Sequence, residues 1–187
     1  MRGRLILVVG PSGAGKDTLI QGARRTLAAD SRFAFPRRRI TRPPDPNGEN
    51  HVEISEGEYE AMAETGGYCL HWRAHGLCYG LPAAIADDLA SGVNVVANVS
   101  RAVVSEACRR LDPVHVIQVE ASPELLVQRL ATRGRESTAE QRLRLDREAA
   151  LIPEGIGATR FVNADGVEQE VARFTALLRD LSIEGQY

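Results

Sequence analysis

Lysine is almost absent from this sequence. Of its 23 lysine and arginine residues only Lys16 is a lysine, so every other basic position accepts or prefers a guanidinium group. The lone lysine lies in a glycine-rich segment, where a compact, flexible ammonium group reaches between phosphate oxygens better than a planar guanidinium group does. The scarcity of lysine therefore singles out one position and suggests a phosphate ligand there.

Long apolar runs and a cysteine framework are missing too. No stretch of about 18 apolar residues occurs, so no membrane-spanning helix is expected, and the apolar run at 5–9 leads into glycines rather than a cleavage site. Three cysteines without framework spacing predict no structural disulfide. A net charge of −2 gives no general attraction to nucleic acids or anionic membranes. We therefore expect a soluble, cytoplasmic protein with neither as a partner, and leave its oligomeric state open.

Segments with strand and helix patterns alternate along the chain. With 187 residues, 43% of them hydrophobic, the chain can bury its own core, and this length favours a single domain. The predicted strands are 5–9, 93–99, 114–119 and 160–162, and the predicted helices are 16–27, 102–111, 123–132, 139–150 and 167–181. This order predicts a three-layer α/β/α fold with a parallel central sheet.

Residues 37–82 break the alternation. They include three closely spaced prolines, several glycines and a mixture of polar and aromatic residues. We expect a small acceptor-binding insert here, attached to a core formed by 1–36 and 83–187. Trp72, the only tryptophan, suits packing and ligand contact equally. The insert also holds two cysteines and two histidines whose spacing is unlike that of usual zinc sites: Cys69, His71, His75 and Cys78.

A glycine-rich loop joins the first predicted strand to the first helix. Its sequence, Gly10-Pro-Ser-Gly-Ala-Gly-Lys16, fits the phosphate-loop pattern G-x-x-x-x-G-K in the strand-to-helix context that the pattern requires. The backbone N–H groups and the lysine of such a loop bind nucleotide phosphates. The predicted ATP-binding residues are Gly10, Pro11, Ser12, Gly13, Ala14, Gly15, Lys16, Asp17 and Thr18.

Asp17 departs from this pattern, which has Ser or Thr at that position to bind Mg²⁺. A carboxylate can bind Mg²⁺ directly or through water, and Thr18 follows immediately. Alternatively, Asp17 is an acidic residue of the first helical turn that the helix dipole stabilises. Both interpretations stay open, and Asp17 and Thr18 are the predicted metal ligands.

Arginines cluster in two segments, at 37–42 within the insert and at 129–147. A kinase that acts on a phosphorylated acceptor must bring two polyanions together, and converging arginines allow this. We interpret the second cluster as a lid, because Gly134 permits a bend that carries arginines over the nucleotide. No convincing general base is visible. A phosphate acceptor needs none, because the second pKa of a phosphate monoester is ~6 and its oxygen is already ionised at neutral pH.

The order of five motifs resembles that of the guanylate kinase family over nearly the full length. The motifs are GPSGAGKD at 10–17, ITRPP at 40–44, HGLCYG at 75–80, RLATRGR at 129–135 and NAD at 163–165. The resemblance implies a guanylate kinase-like P-loop kinase that uses ATP and Mg²⁺. The catalytic residues it implies are Lys16, Arg133, Arg135 and Arg144.

The same resemblance implies further roles for single residues. Arg42 and Tyr79 would bind the phosphate of the acceptor, and Asn163 would lie near the adenine. Asn163 and Asp165 would also suit a cap for the last predicted helix, a role that can coexist with a nucleotide contact. The apolar positions of that helix predict a core stripe that consists of Val167, Val171, Phe174 and Leu178.

Two positions of the predicted base pocket depart from guanylate kinases. Where that family has a glutamate and a serine or threonine that hydrogen-bond guanine, this sequence has Leu70 and Leu81. Guanine would lose those partners at roughly 1 to 3 kcal/mol for each unpaired group. The loop end GKD, the segment HWRAHGLCYGLP at 71–82 and the segment NVSRA at 98–102 resemble instead the ribose 1,5-bisphosphate phosphokinases of phosphonate degradation, which are relatives of guanylate kinases.

This closer resemblance implies that ATP and ribose 1,5-bisphosphate are converted to ADP and 5-phosphoribosyl 1-diphosphate. The acceptor is then a small phosphorylated sugar without a base. The candidates to bind its two phosphates are Arg38, Arg42 and Arg101, and the candidates to line the sugar pocket are His71, Trp72 and His75. One alternative is a guanylate or other nucleoside-monophosphate kinase with an altered base pocket. Another is a non-catalytic module that binds protein partners, which would not need an intact phosphate loop.

Overall fold

Two β-sheets with surrounding helices form the described part of the chain. The structure is a computed structural model that describes residues 2–44, 49–122, 124–126, 156–164 and 166–183. The strands are β1 (Leu5–Val9), β2 (Phe33–Ala34), β3 (Arg39–Ile40), β4 (Val52–Glu53), β5 (Tyr68–Ala74), β6 (Leu77–Pro82), β7 (Asn94–Asn98), β8 (Val114–Glu120) and β9 (Ala158–Val162). The helices are α1 (Lys16–Thr26), α2 (Glu56–Glu64), α3 (Ile85–Ala90), α4 (Val104–Arg110), which a 3₁₀ turn at Arg101–Val103 precedes, and α5 (Val167–Ile183).

The larger sheet is parallel throughout and has the strand order β2-β7-β1-β8-β9. Its central strand β1 is buried along its whole length, as expected of a continuous apolar run in a sheet covered on both faces. The strands predicted at 93–99, 114–119 and 160–162 are β7, β8 and β9, with ends that differ by at most two residues. The predicted parallel central sheet is confirmed.

Helices cover both faces of this sheet. Ile6 and Val8 pack with α1 and α5 on one face, whereas Leu5, Leu7 and Val9 pack with α3 and α4 on the other. Alternate residues of a strand point to opposite faces, so one five-residue strand contributes to both halves of the core. The predicted three-layer α/β/α arrangement is confirmed.

Helix α5 packs closely on α1. Gly22 permits the close approach, because a Cβ atom at this position would lie 2.5 Å from the side chain of Val171. Phe174 and Leu178 are buried, as predicted for the apolar stripe of this helix. Val167 was expected in the same stripe, but it is 59% exposed, so this detail is wrong. The helix begins at Val167, and the packed stripe starts one turn later and extends to Leu181.

The segment predicted as an insert contains the smaller sheet, of order β4-β3-β6-β5, and helix α2. Strands β5 and β6 form a hairpin whose two turn residues, His75 and Gly76, have φ values of 52° and 72°. Positive φ at both positions is typical of a type I′ turn. Leu70 and Leu81 pair across the hairpin and are fully buried in the core on the α3 and α4 side of the larger sheet. The hairpin therefore shares its core with the parallel sheet.

The remaining predicted helices are described in part. The helix predicted at 102–111 begins as the 3₁₀ turn and continues as α4. Of the helix predicted at 123–132, the structure describes residues 124–126, which are helical. The helix predicted at 139–150 and the lid predicted at 129–147 lie outside the described residues. No helix in the described ranges is both long enough and apolar enough to cross a membrane.

Candidate active site

A cavity of about 460 Å³ lies where β1 and β7 end. Ligands of open α/β sheets bind at the carboxyl ends of the strands, where the strand order reverses. Its lining residues are Gly10, Ser12, Lys16, Asp17, Arg38, Arg42, Glu49, Trp72, Ala74, His75, Tyr79, Asn98, Val99, Ser100, Arg101 and Ala102. Six of the seven predicted acceptor contacts are among them, all except His71, so the fold brings together side chains that the sequence distributes from position 38 to position 101.

The glycine-rich loop forms one wall of the cavity and depends on glycine at defined positions. Gly10, Gly13 and Gly15 have φ values of 146°, 86° and 87°, a region that other residues rarely adopt. A Cβ atom at Gly10 would lie 2.2 Å from the carbonyl oxygen of Val119 in β8. Lys16 begins helix α1, and its Nζ donates hydrogen bonds to the carbonyl oxygens of Gly10 (2.6 Å) and Pro11 (2.8 Å). Lys16 is therefore held against the backbone of the loop that is predicted to bind phosphate.

Asp17 lies in the first turn of α1 and also faces the cavity. The side-chain amide of Asn98, the last residue of β7, donates a 2.7 Å hydrogen bond to Asp17 Oδ1. The two interpretations of Asp17 are therefore compatible, because an acidic residue near a helix N-terminus is held at the edge where nucleotide phosphates are expected. Thr18 is exposed and does not line the cavity, since the next helical position points about 100° away.

Asn163 supports the phosphate loop from outside the cavity. Its Nδ2 donates a 2.6 Å hydrogen bond to the carbonyl oxygen of Ala14, and its backbone N–H donates to the carbonyl oxygen of Glu120 at 2.7 Å. The Asn163 side chain is buried and is used to hold the loop rather than to cap α5, which begins at Val167. Contact between Asn163 and adenine stays a prediction, and Asp165 lies outside the described residues.

We expect Asn163→Ala to weaken ATP binding as well as folding. Losing this buried hydrogen bond should lower the free energy of unfolding by about 1–3 kcal/mol, because the Ala14 carbonyl loses its donor. It should also raise the KM for ATP several-fold, because the loop would lose a support. Denaturant unfolding and ATP-dependent kinetics measure the two effects. Asn94→Ala is a matched control: Asn94 is a buried asparagine that binds the backbone of Arg4 and Arg32, away from the loop. An unchanged KM in Asn163→Ala, or the same rise in both variants, would contradict this role.

Arg38 lies on the insert side of the cavity, where it contacts one carboxylate group and two aromatic rings. Its Nε donates a 2.6 Å hydrogen bond to Glu49 Oε1, and its Nη2 pairs with Glu49 Oε2. Its guanidinium carbon lies 5.6 Å from the ring centroid of Trp72 and 5.3 Å from that of Tyr79. These two rings stack on each other at 5.3 Å with an interplanar angle of 5°. Burial by itself lowers the pKa of Arg38, but the hydrogen bond and charge of Glu49, together with smaller effects of Asp17 and Tyr79, raise it above its ordinary value.

The two arginines beside Arg38 do not line the cavity. Arg37 donates a 2.7 Å hydrogen bond to the carbonyl oxygen of His51, and Arg39 belongs to β3. The buried ring of His51 has Nδ1 at 3.0 Å from the Glu49 carbonyl oxygen and Nε2 at 3.0 Å from the Arg42 carbonyl oxygen. His51 thus ties together the two ends of the segment that supplies Arg42 and Glu49 to the cavity.

Arg42 and Arg101 reach the cavity from different elements. Arg42 follows β3 in the insert, whereas Arg101 begins the 3₁₀ turn after β7. The Nε atom of each is buried and has no hydrogen-bond partner in the described structure. An unpaired buried donor is costly, and an anionic ligand drawn to the guanidinium group would relieve that cost. Both side chains therefore suit binding of phosphate.

The two histidines and two cysteines of the hairpin do not lie together. His75 lines the cavity at the hairpin turn, but His71 does not, so its predicted place in the sugar pocket is wrong. The strand alternation turns His71 outward, and its Nδ1 lies 3.0 Å from the hydroxyl of Tyr59. Cys69 and Cys78 belong to separate apolar clusters. Nowhere in the described ranges do three His, Cys, Asp or Glu residues form a metal-binding group. Trp72 packs in the core and also lines the cavity, so its packing is confirmed and its contact with a ligand stays a prediction.

Several predicted lid residues fall in the part of the chain that is not described. They are Arg129, Arg133, Arg135, Arg142, Arg144 and Arg147, so the catalytic roles of Arg133, Arg135 and Arg144 stay predictions.

Sequence reasoning missed Glu49 and Asn98. Asn98 could have been found, because a polar residue directly after a buried strand marks the ligand-binding edge of a parallel sheet. Glu49 has no such local signal, and only its pairing with Arg38 reveals it.

Several known proteins are similar to this chain in sequence. A ribose 1,5-bisphosphate phosphokinase from Acidiphilium cryptum is 53% identical over 150 residues, which is 80% of each chain. A protein of the same name from Methylobacterium radiotolerans is 44% identical over 96% of this chain and 99% of its own, and one from Brucella melitensis is 41% identical over 98% and 95%. A bifunctional ribose 1,5-bisphosphokinase-thymidine phosphorylase from Azorhizobium caulinodans is 41% identical, but this chain spans only 25% of its length. No family model matches.

Solved structures support the fold. A guanylate kinase from Anaplasma phagocytophilum superposes with a TM-score of 0.66 at 15% identity, covering 97% of this chain and 87% of its own. A gluconokinase from Sinorhizobium meliloti superposes with a TM-score of 0.52 at 16% identity, covering 100% and 98%. At such low identity these likenesses concern the fold alone.

Proposed function

The chain belongs to the ribose 1,5-bisphosphate phosphokinase family, and we propose that it transfers the γ-phosphoryl group of ATP to the 1-phosphate of ribose 1,5-bisphosphate. The products are ADP and 5-phosphoribosyl 1-diphosphate. The observation that carries this proposal is the composition of one cavity: a phosphate loop with Lys16 lies on one side, and three arginines, Arg38, Arg42 and Arg101, are among the residues that line the rest. Such a cavity suits two polyanions, one of which is small and has more than one phosphate.

The transfer needs positioning more than proton chemistry. An oxygen of the acceptor's 1-phosphate forms the new bond to the γ-phosphorus as the bond from that phosphorus to the β,γ-bridging oxygen breaks. The acceptor oxygen is already ionised at neutral pH, so no general base is required. Lys16 neutralises charge on the β- and γ-phosphates, and Arg42 holds the accepting phosphate beside them. The lid arginines would complete the set from the other side of the nucleotide.

Mg²⁺ fits this site through Asp17. Proteins bind Mg²⁺ by one or two carboxylates together with substrate phosphates, and the Asp17 carboxylate lies at the cavity beside Lys16. The sequence predicted both Asp17 and Thr18 as ligands of Mg²⁺. We propose that Asp17 alone, oriented by Asn98, is the protein ligand. When bound, the ion would reduce the charge repulsion between the nucleotide and the acceptor.

Guanine recognition has little support in the insert. Leu70 and Leu81 are fully buried, pair with each other across the hairpin and belong to the core, so neither side chain faces the cavity. The intact phosphate loop also favours catalysis over a purely protein-binding module. Dependence on ATP and the absence of a cysteine framework in the sequence suit the cytoplasm, which we propose as the location.

Release of ADP with two acceptors tests this proposal. We expect turnover with Mg-ATP and ribose 1,5-bisphosphate, with the diphosphate product visible by ³¹P NMR, and little turnover with GMP. Turnover with GMP alone would replace the proposal by a nucleoside-monophosphate kinase. Turnover with neither acceptor would overturn it.

A further inference from the structure

A buried ion pair lies at the insert side of the cavity, and the proposed transfer does not by itself require it. The side chains of Arg38 and Glu49 are 10% and 12% exposed. A buried ion pair is weak grounds for stability, because the loss of hydration offsets much of the attraction between the charges. A role in the site explains its presence better than a role in folding.

The contacts of Arg38 fix its guanidinium group on three sides. Glu49 occupies Nε and Nη2, and the stacked rings of Trp72 and Tyr79 support the group. Within the described residues, the side-chain hydrogen bonds of Arg38 use Nε and Nη2, which leaves Nη1 for a ligand, and Arg38 lines the cavity. A guanidinium group held in this way binds a phosphate with little loss of side-chain entropy, because its orientation is already set.

The place of Arg38 indicates which phosphate it meets. The accepting phosphate must lie close to the γ-phosphate and therefore to the loop that contains Lys16. Arg38 belongs to the insert and rests on the stacked rings of its hairpin, so we place the end of the acceptor that does not react beside it.

We propose that Glu49 is a positioning residue that holds Arg38 on the Trp72–Tyr79 stack, so that Arg38 binds the phosphate of the acceptor that does not react. This rests on the proposed function, in which that group is the 5-phosphate. The arrangement makes the site specific for an acceptor with an anionic group at its far end instead of a base.

Three variants test the proposal: Glu49→Gln, Arg38→Met and the double variant. Each single change should raise the KM for ribose 1,5-bisphosphate roughly 10- to 100-fold, the size expected when a charge-assisted hydrogen bond is lost. The kcat should change far less, and the KM for ATP should stay the same. The double variant should resemble Arg38→Met alone, because Glu49 acts through Arg38.

Binding of ribose 5-phosphate, measured by calorimetry, separates this proposal from the proposed function. This probe has only the 5-phosphate, so its affinity should fall in all three variants whether or not the protein turns over the bisphosphate. Removing a negative charge would by itself tighten anion binding. If Glu49→Gln bound ribose 5-phosphate more tightly than the wild type, the positioning role would therefore be overturned. It would also be overturned if the losses of affinity in the two single variants added up in the double variant.

Asp30→Asn is the matched control. Asp30 also forms a two-point pair with an arginine, Arg32, whose guanidinium carbon lies 5.8 Å from the ring centroid of Phe33, but this pair lies outside the cavity lining. The Asp30→Asn variant should therefore have unchanged KM values for ATP and ribose 1,5-bisphosphate and an unchanged affinity for ribose 5-phosphate. Thermal unfolding of all variants checks the fold, and the double variant, which removes both buried charges, should be folded even if Glu49→Gln is destabilised. Equal losses in the Asp30 control would overturn the proposal, since they would show a non-specific effect.

Discussion

Lys16→Ala should lower the kcat of phosphoryl transfer by roughly 10²–10³-fold, the size seen when one group that stabilises transition-state charge is removed. The Lys16 ammonium group is held in the loop by the carbonyl oxygens of Gly10 and Pro11 and is placed where the β- and γ-phosphates are expected. The repulsion between the two bound polyanions increases as they approach each other in the transition state, and Lys16 reduces this repulsion. Removing Lys16 should therefore lower kcat as well as the affinity for ATP.

The fold of this variant should persist, because Lys16 lies outside the apolar clusters and its hydrogen bonds to Gly10 and Pro11 join it to the loop backbone rather than to the core. Single-turnover ADP formation measures the rate, and thermal unfolding checks the fold. Lys16→Arg is the informative control: it keeps the charge but presents a bulkier planar group, and we expect it to recover little of the rate. A folded Lys16→Ala variant with wild-type kcat would contradict the assignment of this loop.

The scarcity of lysine offers a second measurement on the unmodified protein. Lys16 is the only lysine, so an amine-reactive reagent can label one side chain in addition to any terminal amine. We expect Mg-ATP to protect Lys16 from labelling, as followed by mass spectrometry of the peptide that contains it. Unchanged labelling in saturating Mg-ATP would show that the phosphates bind elsewhere.

Arg42→Ala should lower kcat/KM for ribose 1,5-bisphosphate by roughly 10²–10³-fold, because Arg42 is proposed to hold the phosphate that reacts. A reacting group that is misplaced loses rate as well as affinity, so both kcat and the KM for the acceptor should change. This separates Arg42 from Arg38, whose loss is expected mainly in KM. Steady-state kinetics with each substrate varied in turn distinguish the two patterns.

Arg73→Ala provides the comparison for Arg42. Arg73 belongs to the same insert, but it is exposed, pairs with Glu60 and does not line the cavity. It should keep wild-type kinetics. Two outcomes would count against the placement of the accepting phosphate: an Arg42→Ala variant that loses only ATP affinity, and an Arg73→Ala variant that loses as much activity as Arg42→Ala.

Local patterns were enough to predict the phosphate loop and four of the five strands of the larger sheet. The glycines before Lys16, the buried run of β1 and the stripe of α1 lie within about two dozen residues, and their geometry follows from backbone preferences and from apolar periodicity. The short strands of the insert were not predicted, because two-residue strands such as β3 and β4 have too few residues for any periodicity. Val167 was misplaced for a related reason, since periodicity does not show where along a helix packing begins.

The sequence by itself determined that a phosphate-binding loop precedes a helix in a parallel α/β fold, because that information is local. Only the tertiary structure decided how its residues cooperate. Asn163 reaches the loop residue Ala14 across 149 positions, and Asn98 reaches Asp17 across 81. Glu49 acquires a role only through its pairing with Arg38, and Leu70 and Leu81 show by their burial that the cavity wall is built from other side chains. Such contacts depend on which strand ends meet at one edge of the sheet, which no local pattern specifies.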